Sequence, residues 1–162
     1  MNLNNNRSVR KLQQHESIPY SLLLLADETK EAIDAYIKDS EIFVLEIENK
    51  ISKENKIIGI YVLQIIDENN IEIKNITVDE KFQGQGIGTF LLKDAEVRSR
   101  KKGFKTIIIG TADAGIKQLY LYQKVGFEIF EVNKNFFIDN YPEPIYENGV
   151  LLKDRVMLRK LL

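Results

Sequence analysis

Gln83-Gly84-Gln85-Gly86-Ile87-Gly88 stands between a run of alternating apolar residues that ends at Val78 and an amphipathic run over residues 89–102, where Ile87, Phe90, Leu91 and Ala95 recur at helical spacing. Glycine at alternate positions lets backbone approach a ligand closely. The first turn of a helix also carries N–H groups without intrahelical acceptors, so the junction is an anion site whose natural occupant is a pyrophosphate. The same glycines equally serve a tight strand-to-helix turn with no ligand. A G-x-G-x-x-G dinucleotide fingerprint would need glycine at position 89, where the chain has Thr89, and the Gly-Lys-Ser/Thr of a Walker loop occurs nowhere.

Upstream of this junction, residues 41–47, 56–66 and 71–78 are rich in β-branched residues and separated by polar, turn-prone stretches, which predicts an antiparallel meander. Before them, residues 20–26 and 27–38 read as two short helices, with Asp27 as N-cap and Ile33, Tyr36 and Ile37 on one face. Residues 7–12 around Val9 suggest a short edge strand. Downstream, Lys and Arg crowd the helix end, where they suit the dipole, and Gly103 stops it. Three consecutive isoleucines within 104–109 read as a strand covered on both faces. A helix over 116–124 closed by Gly126, a strand over 127–132, a long loop or hairpin arm over 133–148 and a last strand over 150–159 complete the order. A mixed α/β architecture of about seven strands with helices on both sheet faces accommodates it.

At 162 residues the chain has the size of one domain, spanning 1–162, with a core burying about 70% of its extended surface. Its 23 Lys and Arg against 24 Asp and Glu give a net charge of −1 and no basic field for gripping nucleic acid. The absence of Cys excludes disulfides, thiolate nucleophiles and thiolate metal sites, and the single His15 excludes a multi-histidine metal centre. Carboxylate-bound cations are not excluded, and no metal is expected. No run of about 18 apolar residues is present, so no membrane partner is expected. Residues 1–10 lack the apolar stretch of a secretory signal, which makes the cytoplasm the default location.

Two segments together resemble a known family. The stretch from Val78 to Gly88 resembles the Q/R-x-x-G-x-G/A acetyl-CoA loop of the GNAT superfamily of N-acetyltransferases, and Leu121-Tyr122-Gln123-Lys124-Val125-Gly126-Phe127 resembles its L-Y-x-K-x-G-F segment. The resemblance implies a twisted mixed sheet splayed between the fourth and fifth strands, with acetyl-CoA entering the gap. It implies that backbone groups of Ile76 and Val78 pair with the pantetheine arm. It further implies that Gln83, Gly84, Gln85, Gly86, Ile87, Gly88 and Thr89 hold the pyrophosphate, with Thr111 close to the cofactor. The family asparagine seven residues before the tyrosine is Gly115 here, with Thr111 and Asp113 nearby.

Acetyl transfer to nitrogen needs a neutral amine, a polarised carbonyl and a protonated leaving thiolate. Tyr122 matches the family tyrosine near the cofactor sulfur, and a phenol of pKa about 10 stays protonated at neutral pH as a general acid. Glu72, expected to share a strand face with Lys74 and Ile76, is the candidate base, directly or through water. Partial burial would raise its pKa towards the working range. The backbone N–H of Val78 is the candidate for polarising the carbonyl. Core packing of Tyr122 and an exposed Glu72–lysine pair are the alternatives.

Tyr36, Tyr61, Phe136, Phe137 and Tyr141 fall in regions that border the acceptor cleft of the family. With Asp139, Glu143 and Glu147 they would suit a cationic amine. His15 reads as a surface residue, and the basic cluster over 98–105 as a solvated helix end rather than a contact to the 3′-phosphate. The sequence thus points to transfer of acetyl from acetyl-CoA to a primary amine of a small, polyamine-like or otherwise cationic molecule by direct attack. Protein N-termini or lysines as acceptors, and a non-catalytic acyl-CoA-binding module, are the alternatives; a homodimer is compatible with the sequence.

Overall fold

Three long strands form the expected meander: β2 (Ser40–Glu48), β3 (Asn55–Ile65) and β4 (Asn70–Val78) pair antiparallel in chain order, with β1 (Ser8–Lys11) on the outer edge of β2. The computed structural model describes residues 7–162, so the Asn-rich opening, residues 1–6, lies outside the described residues. Beyond β4 the sheet continues with β5 (Thr106–Ala112) in parallel, then with β9 (Arg155–Leu161) and β6 (Glu128–Asn133) antiparallel. The seven-stranded mixed sheet therefore runs β1-β2-β3-β4-β5-β9-β6, the last strand of the chain inserting between β5 and β6. Among the described residues no helix is long and apolar enough to cross a membrane.

Alternation gives the sheet two apolar faces. Leu45, Tyr61, Leu63, Ile71, Ile73, Ile107 and Ile109 pack under α3 (Ile87–Lys101) and α4 (Ile116–Lys124), which contribute Leu91, Leu92, Ala95 and Tyr122. Ile42, Val44, Ile60 and Val62 face the other way, under α1 (Tyr20–Leu23) and α2 (Lys30–Ile37), against Leu23, Ile33 and Ile37. Helix α2 begins later than its sequence suggested: Thr29 is the N-cap, its hydroxyl accepting from the Ala32 N–H. Of the three isoleucines of β5, Ile107 and Ile109 are buried and Ile108 is half-buried, so one face of that strand is sealed and the other only partly. The stretch read as a loop or hairpin arm holds the short helix α5 (Phe136–Asn140) and a small hairpin, β7 (Tyr146–Glu147) with β8 (Val150–Leu151).

Leu91 is fully buried and reaches over Gly59 of β3, where an added Cβ would lie 3.0 Å from its Cδ1. Leu91→Ala opens a cavity there. The expected loss is about 2–5 kcal/mol, or roughly 5–15 °C in Tm, read by thermal and denaturant unfolding. A loss below about 1 kcal/mol would mean that α3 is not packed on β3 in this way.

Candidate active site

The site begins where two neighbouring strands part. β4 and β5 pair from Asn70↔Thr106 to Ile73↔Ile109 and no further, although they run on to Val78 and Ala112. The cause is a β-bulge in β4: Val62 pairs with Asn75 and Leu63 with Ile73, so Lys74 is an extra residue that bends the strand away. A cleft of about 1170 Å³ opens into the gap. Along it, residues 74–78 of β4 have no partner strand on the β5 side, which leaves backbone donors and acceptors for an extended ligand.

At one end of the cleft lies the glycine loop. Gly86 is the N-cap of α3 in the left-handed region, φ 75° and ψ 10°, and carries no capping side chain. The N–H groups of the first turn of this 15-residue helix thus face the cleft without side-chain acceptors. Nothing lies within 4 Å of where a Cβ on Gly84 or Gly86 would be. Gln83 ties the loop to the sheet, its Nε2 donating to the Val78 carbonyl at 3.0 Å. Gln83, Gly84, Gly86, Ile87, Gly88 and Thr89 line the cleft, whereas Gln85 does not, its carbonyl accepting instead from Arg7.

Tyr122 comes from the last turn of α4, on the β5 side of the gap. Its position is set by the helix end: Gly126, φ 100°, donates to the Gln123 carbonyl and Phe127 to the Tyr122 carbonyl, a Schellman motif. The accompanying apolar contact is the Phe127 ring, 6.3 Å from that of Tyr122. The phenol lines the cleft with no hydrogen-bond partner among the described residues, and burial pushes its pKa well above the ordinary tyrosine value. Ile76, Val78 and Thr111 line the same cleft.

The bulge also moves Glu72. It shares a face with Asn75 and Thr77, not with Ile76, which turns to the α3 side. Glu72 is 7% exposed and does not line the cleft. Oε1 accepts from Arg155 Nη2 at 2.7 Å and lies 3.6 Å from Lys74 Nζ, and both of these cations do line the cleft. Alternation already places Lys74 on the face of Glu72, as a pair expected to be exposed rather than set behind a cleft; Arg155 was not singled out by sequence and arrives from a strand 83 residues away.

The far end of the cleft is walled by aromatics. Tyr36, Phe136, Phe137 and Tyr141 border it as expected, but Tyr61 is in the core, donating to Asp94. Of the three acidic residues expected there, Glu147 lines the cleft, and Asp139 and Glu143 do not. Asp27 and Glu28 take their place. Both Asp27 oxygens are engaged, one by the Tyr36 hydroxyl at 3.1 Å and the other by that of Tyr141 at 3.2 Å. Asn75 donates to Tyr36 in turn, joining β4 to this network. Burial and the Asp27 and Glu147 carboxylates raise the Glu28 pKa. His15 is exposed and not part of the cleft.

Residues 8–127 match the model of the acetyltransferase (GNAT) family. The chain belongs to the GNAT family. It is 40% identical over 139 residues to the uncharacterized N-acetyltransferase YvbK of Bacillus subtilis, with 86% of each chain covered. A GNAT family acetyltransferase from Elizabethkingia anophelis, solved with acetyl-CoA bound, superposes with a TM-score of 0.91 at 47% identity, covering 98% of this chain and 99% of that one. A Bacillus subtilis acetyltransferase solved in complex with CoA superposes with a TM-score of 0.86 at 36% identity, covering 97% and 99%. The protein is accordingly an N-acetyltransferase that draws on acetyl-CoA.

Within this GNAT chain the departure at Gly115 has a steric reason. Gly115 caps α4, and a Cβ there would sit 2.8 Å from Thr111 Oγ1 and 3.0 Å from the Ala112 carbonyl. Side chains facing the cleft from this segment come instead from Thr111, Lys117 and Gln118. The basic cluster sits at the opposite end of α3 from the glycine loop. Arg98 pairs there with Asp94 and donates to the Val9 carbonyl, Lys102 pairs with Glu41, and neither lines the cleft.

Proposed function

We propose that this GNAT protein transfers acetyl from acetyl-CoA to the primary amine of a small molecule by direct attack on the thioester. The observation that carries this reading is the continuity of one cleft, which joins the glycine loop, the unpaired stretch of β4 and Tyr122 to an aromatic-walled end. In this reading the diphosphate of the donor rests on Gln83, Gly84, Gly86, Ile87, Gly88 and Thr89. The pantetheine arm lies along Ile76 and Val78, with Thr111 opposite. Backbone N–H groups at the splay, that of Val78 foremost, polarise the carbonyl. The amine lone pair forms the C–N bond, the C–S bond breaks, and the leaving thiolate takes the Tyr122 proton. With no Cys in the chain, no cysteinyl acyl-enzyme intervenes.

Glu72 enters this scheme through its partners. A carboxylate already accepting from Arg155 and set behind the cleft wall reaches the acceptor nitrogen only through a water, so the acceptor ammonium gives up its proton by way of solvent in the open cleft before the neutral amine attacks. A small acceptor is favoured over a protein one by the Tyr141–Asp27 hydrogen bond. It ties the segment after α5 to the α1–α2 connection beside the aromatic end of the cleft.

Thiol release from acetyl-CoA, followed with a panel of small amines and with peptides offering a free N-terminus or a lysine, tests the proposal. Turnover on small amines at rates well above those on peptides is expected. Preference for the peptides would make the chain a protein acetyltransferase. CoA binding with no turnover on any acceptor would make it a binding module.

A further inference from the structure

Resting on the N-acetyltransferase reading above, we infer that the amine acceptor itself carries a carboxylate, held by Arg155 and Lys74 in the cleft. Arg155 is built as a fixed receptor. Its side chain runs from β9 back across Gly110 of β5, where an added Cβ would lie 2.4 Å from Nε, and the Phe136 ring covers it with the guanidinium carbon 5.0 Å from the ring centroid. Glu72 holds one corner through Nη2. Nε and Nη1 make no hydrogen bond among the described residues, yet they are not sealed from solvent, and the residue lines the cleft. The donors left free on a guanidinium immobilised in this way suit a carboxylate oxygen, and little freedom is lost on binding it.

The charge count supports the same conclusion. Among the described residues Glu72 is the one carboxylate within ion-pair distance of either Arg155 or Lys74, so two cations share one anion. Lys74 Nζ is too far from Glu72 for a hydrogen bond and lies 5.5 Å from the Tyr36 ring centroid, within reach of a ligand. Asp27 is occupied by its two tyrosines and by the Glu28 N–H, and Glu28 and Glu147 pair with neither cation. A structural ion pair between β4 and β9 would require neither the second cation nor guanidinium donors facing open space. A polyamine would bring further positive charge against this place, whereas an amino acid or amino-carboxylate neutralises it. The stacked Phe137 and Tyr141 rings, 5.9 Å apart, offer a wall for its apolar part.

The test compares acceptors that differ by one carboxylate: an aromatic amino acid against its decarboxylated amine, and lysine against 1,5-diaminopentane. The acid of each pair is expected to be used with a kcat/KM about tenfold higher or more. Arg155→Gln should raise KM for the acid by a similar factor while KM for acetyl-CoA stays near the wild-type value. That substitution strands a buried Glu72, so the double variant Glu72→Gln/Arg155→Gln is measured beside it, and Arg155→Lys should recover part of the preference. Calorimetry of the CoA complex with N-acetylated amino acids reads the same contact without turnover, with binding to the wild type and none to the double variant. Equal use of acids and amines, or equal binding of the N-acetylated acids by wild type and double variant, overturns the inference. Arg155-dependent binding without acetylation of any amine would leave the carboxylate site standing and sink the transferase reading instead.

Discussion

Replacing Tyr122 by Phe is expected to lower kcat about 100-fold or more while leaving the KM for acetyl-CoA and the folded structure close to wild type. The substitution removes one oxygen and nothing else: the ring that packs on Phe127 is kept, and so are the Gly126 and Phe127 hydrogen bonds that end α4. No protein acceptor loses a partner, because the phenol has none among the described residues. In the proposed mechanism what is lost is the proton for the departing thiolate. Since burial raises the Tyr122 pKa, the acid form persists throughout the range where unperturbed tyrosines titrate, near pH 10. Activity should therefore show no descending alkaline limb below about pH 10. The same shift fixes the sign for stability. A group with a higher pKa folded than unfolded contributes its full share below the unfolded value and loses it as pH climbs toward the folded one. Tyr36, Tyr61 and Tyr141 are raised as well, chiefly by burial, so unfolding should become easier only in strongly alkaline solution. Steady-state thiol release between pH 7 and 9.5 provides the measurement. A Tyr122→Phe enzyme with more than half of wild-type kcat would remove the phenol from the mechanism.

The features legible in the sequence are those written by local rules. Alternation fixed the meander, and helical spacing with Gly126 placed α4, because its end is a contiguous motif whose glycine alone accepts φ 100° easily. The L-Y-x-K-x-G-F resemblance gains a physical meaning here. Tyr122 and Phe127 are the two residues that a Schellman end brings into contact, and the lysine between them lies in the last turn, where its charge suits the helix dipole. Illegible were the features that depend on one extra residue or on distant chain. Strict alternation puts Glu72 with Ile76, and the bulge at Lys74 reverses that. Asp27 has the chemistry of an N-cap, yet its oxygens go to Tyr36 and Tyr141, and Thr29 two residues later caps α2. Helix α5 has five residues, too few for periodicity to register, and it is the element that places Phe136 over Arg155. The glycine-loop end of the cleft is thus nearly continuous in sequence, and the aromatic end is assembled from β4, the α1–α2 connection, α5 and β9.

Gly86→Asp should weaken binding of CoA by at least about 100-fold, and Gly86→Asn by far less. Both side chains tolerate the left-handed backbone that Gly86 adopts at φ 75°, at a cost of roughly 1–2 kcal/mol, and a Cβ at this position meets nothing within 4 Å beyond its chain neighbours. Fold and steric demand are therefore nearly matched between the two variants, and the difference between them isolates charge. The helix end that favours an anion would receive one covalently, and the diphosphate would have to approach it. At an effective dielectric of about 20, two like charges about 4 Å apart repel by on the order of 4 kcal/mol, which exceeds what the helix dipole returns, about 0.3–1 kcal/mol. Because the loop is open to solvent, the gap between Asp and Asn should narrow as ionic strength rises, and a purely steric block would not respond to salt. Titration calorimetry with CoA at low and high salt, beside a thermal melt of each variant, distinguishes these cases. Wild-type affinity in the Asp variant would show that the diphosphate rests elsewhere, and the pairing of pantetheine with Ile76 and Val78 would lose its anchor.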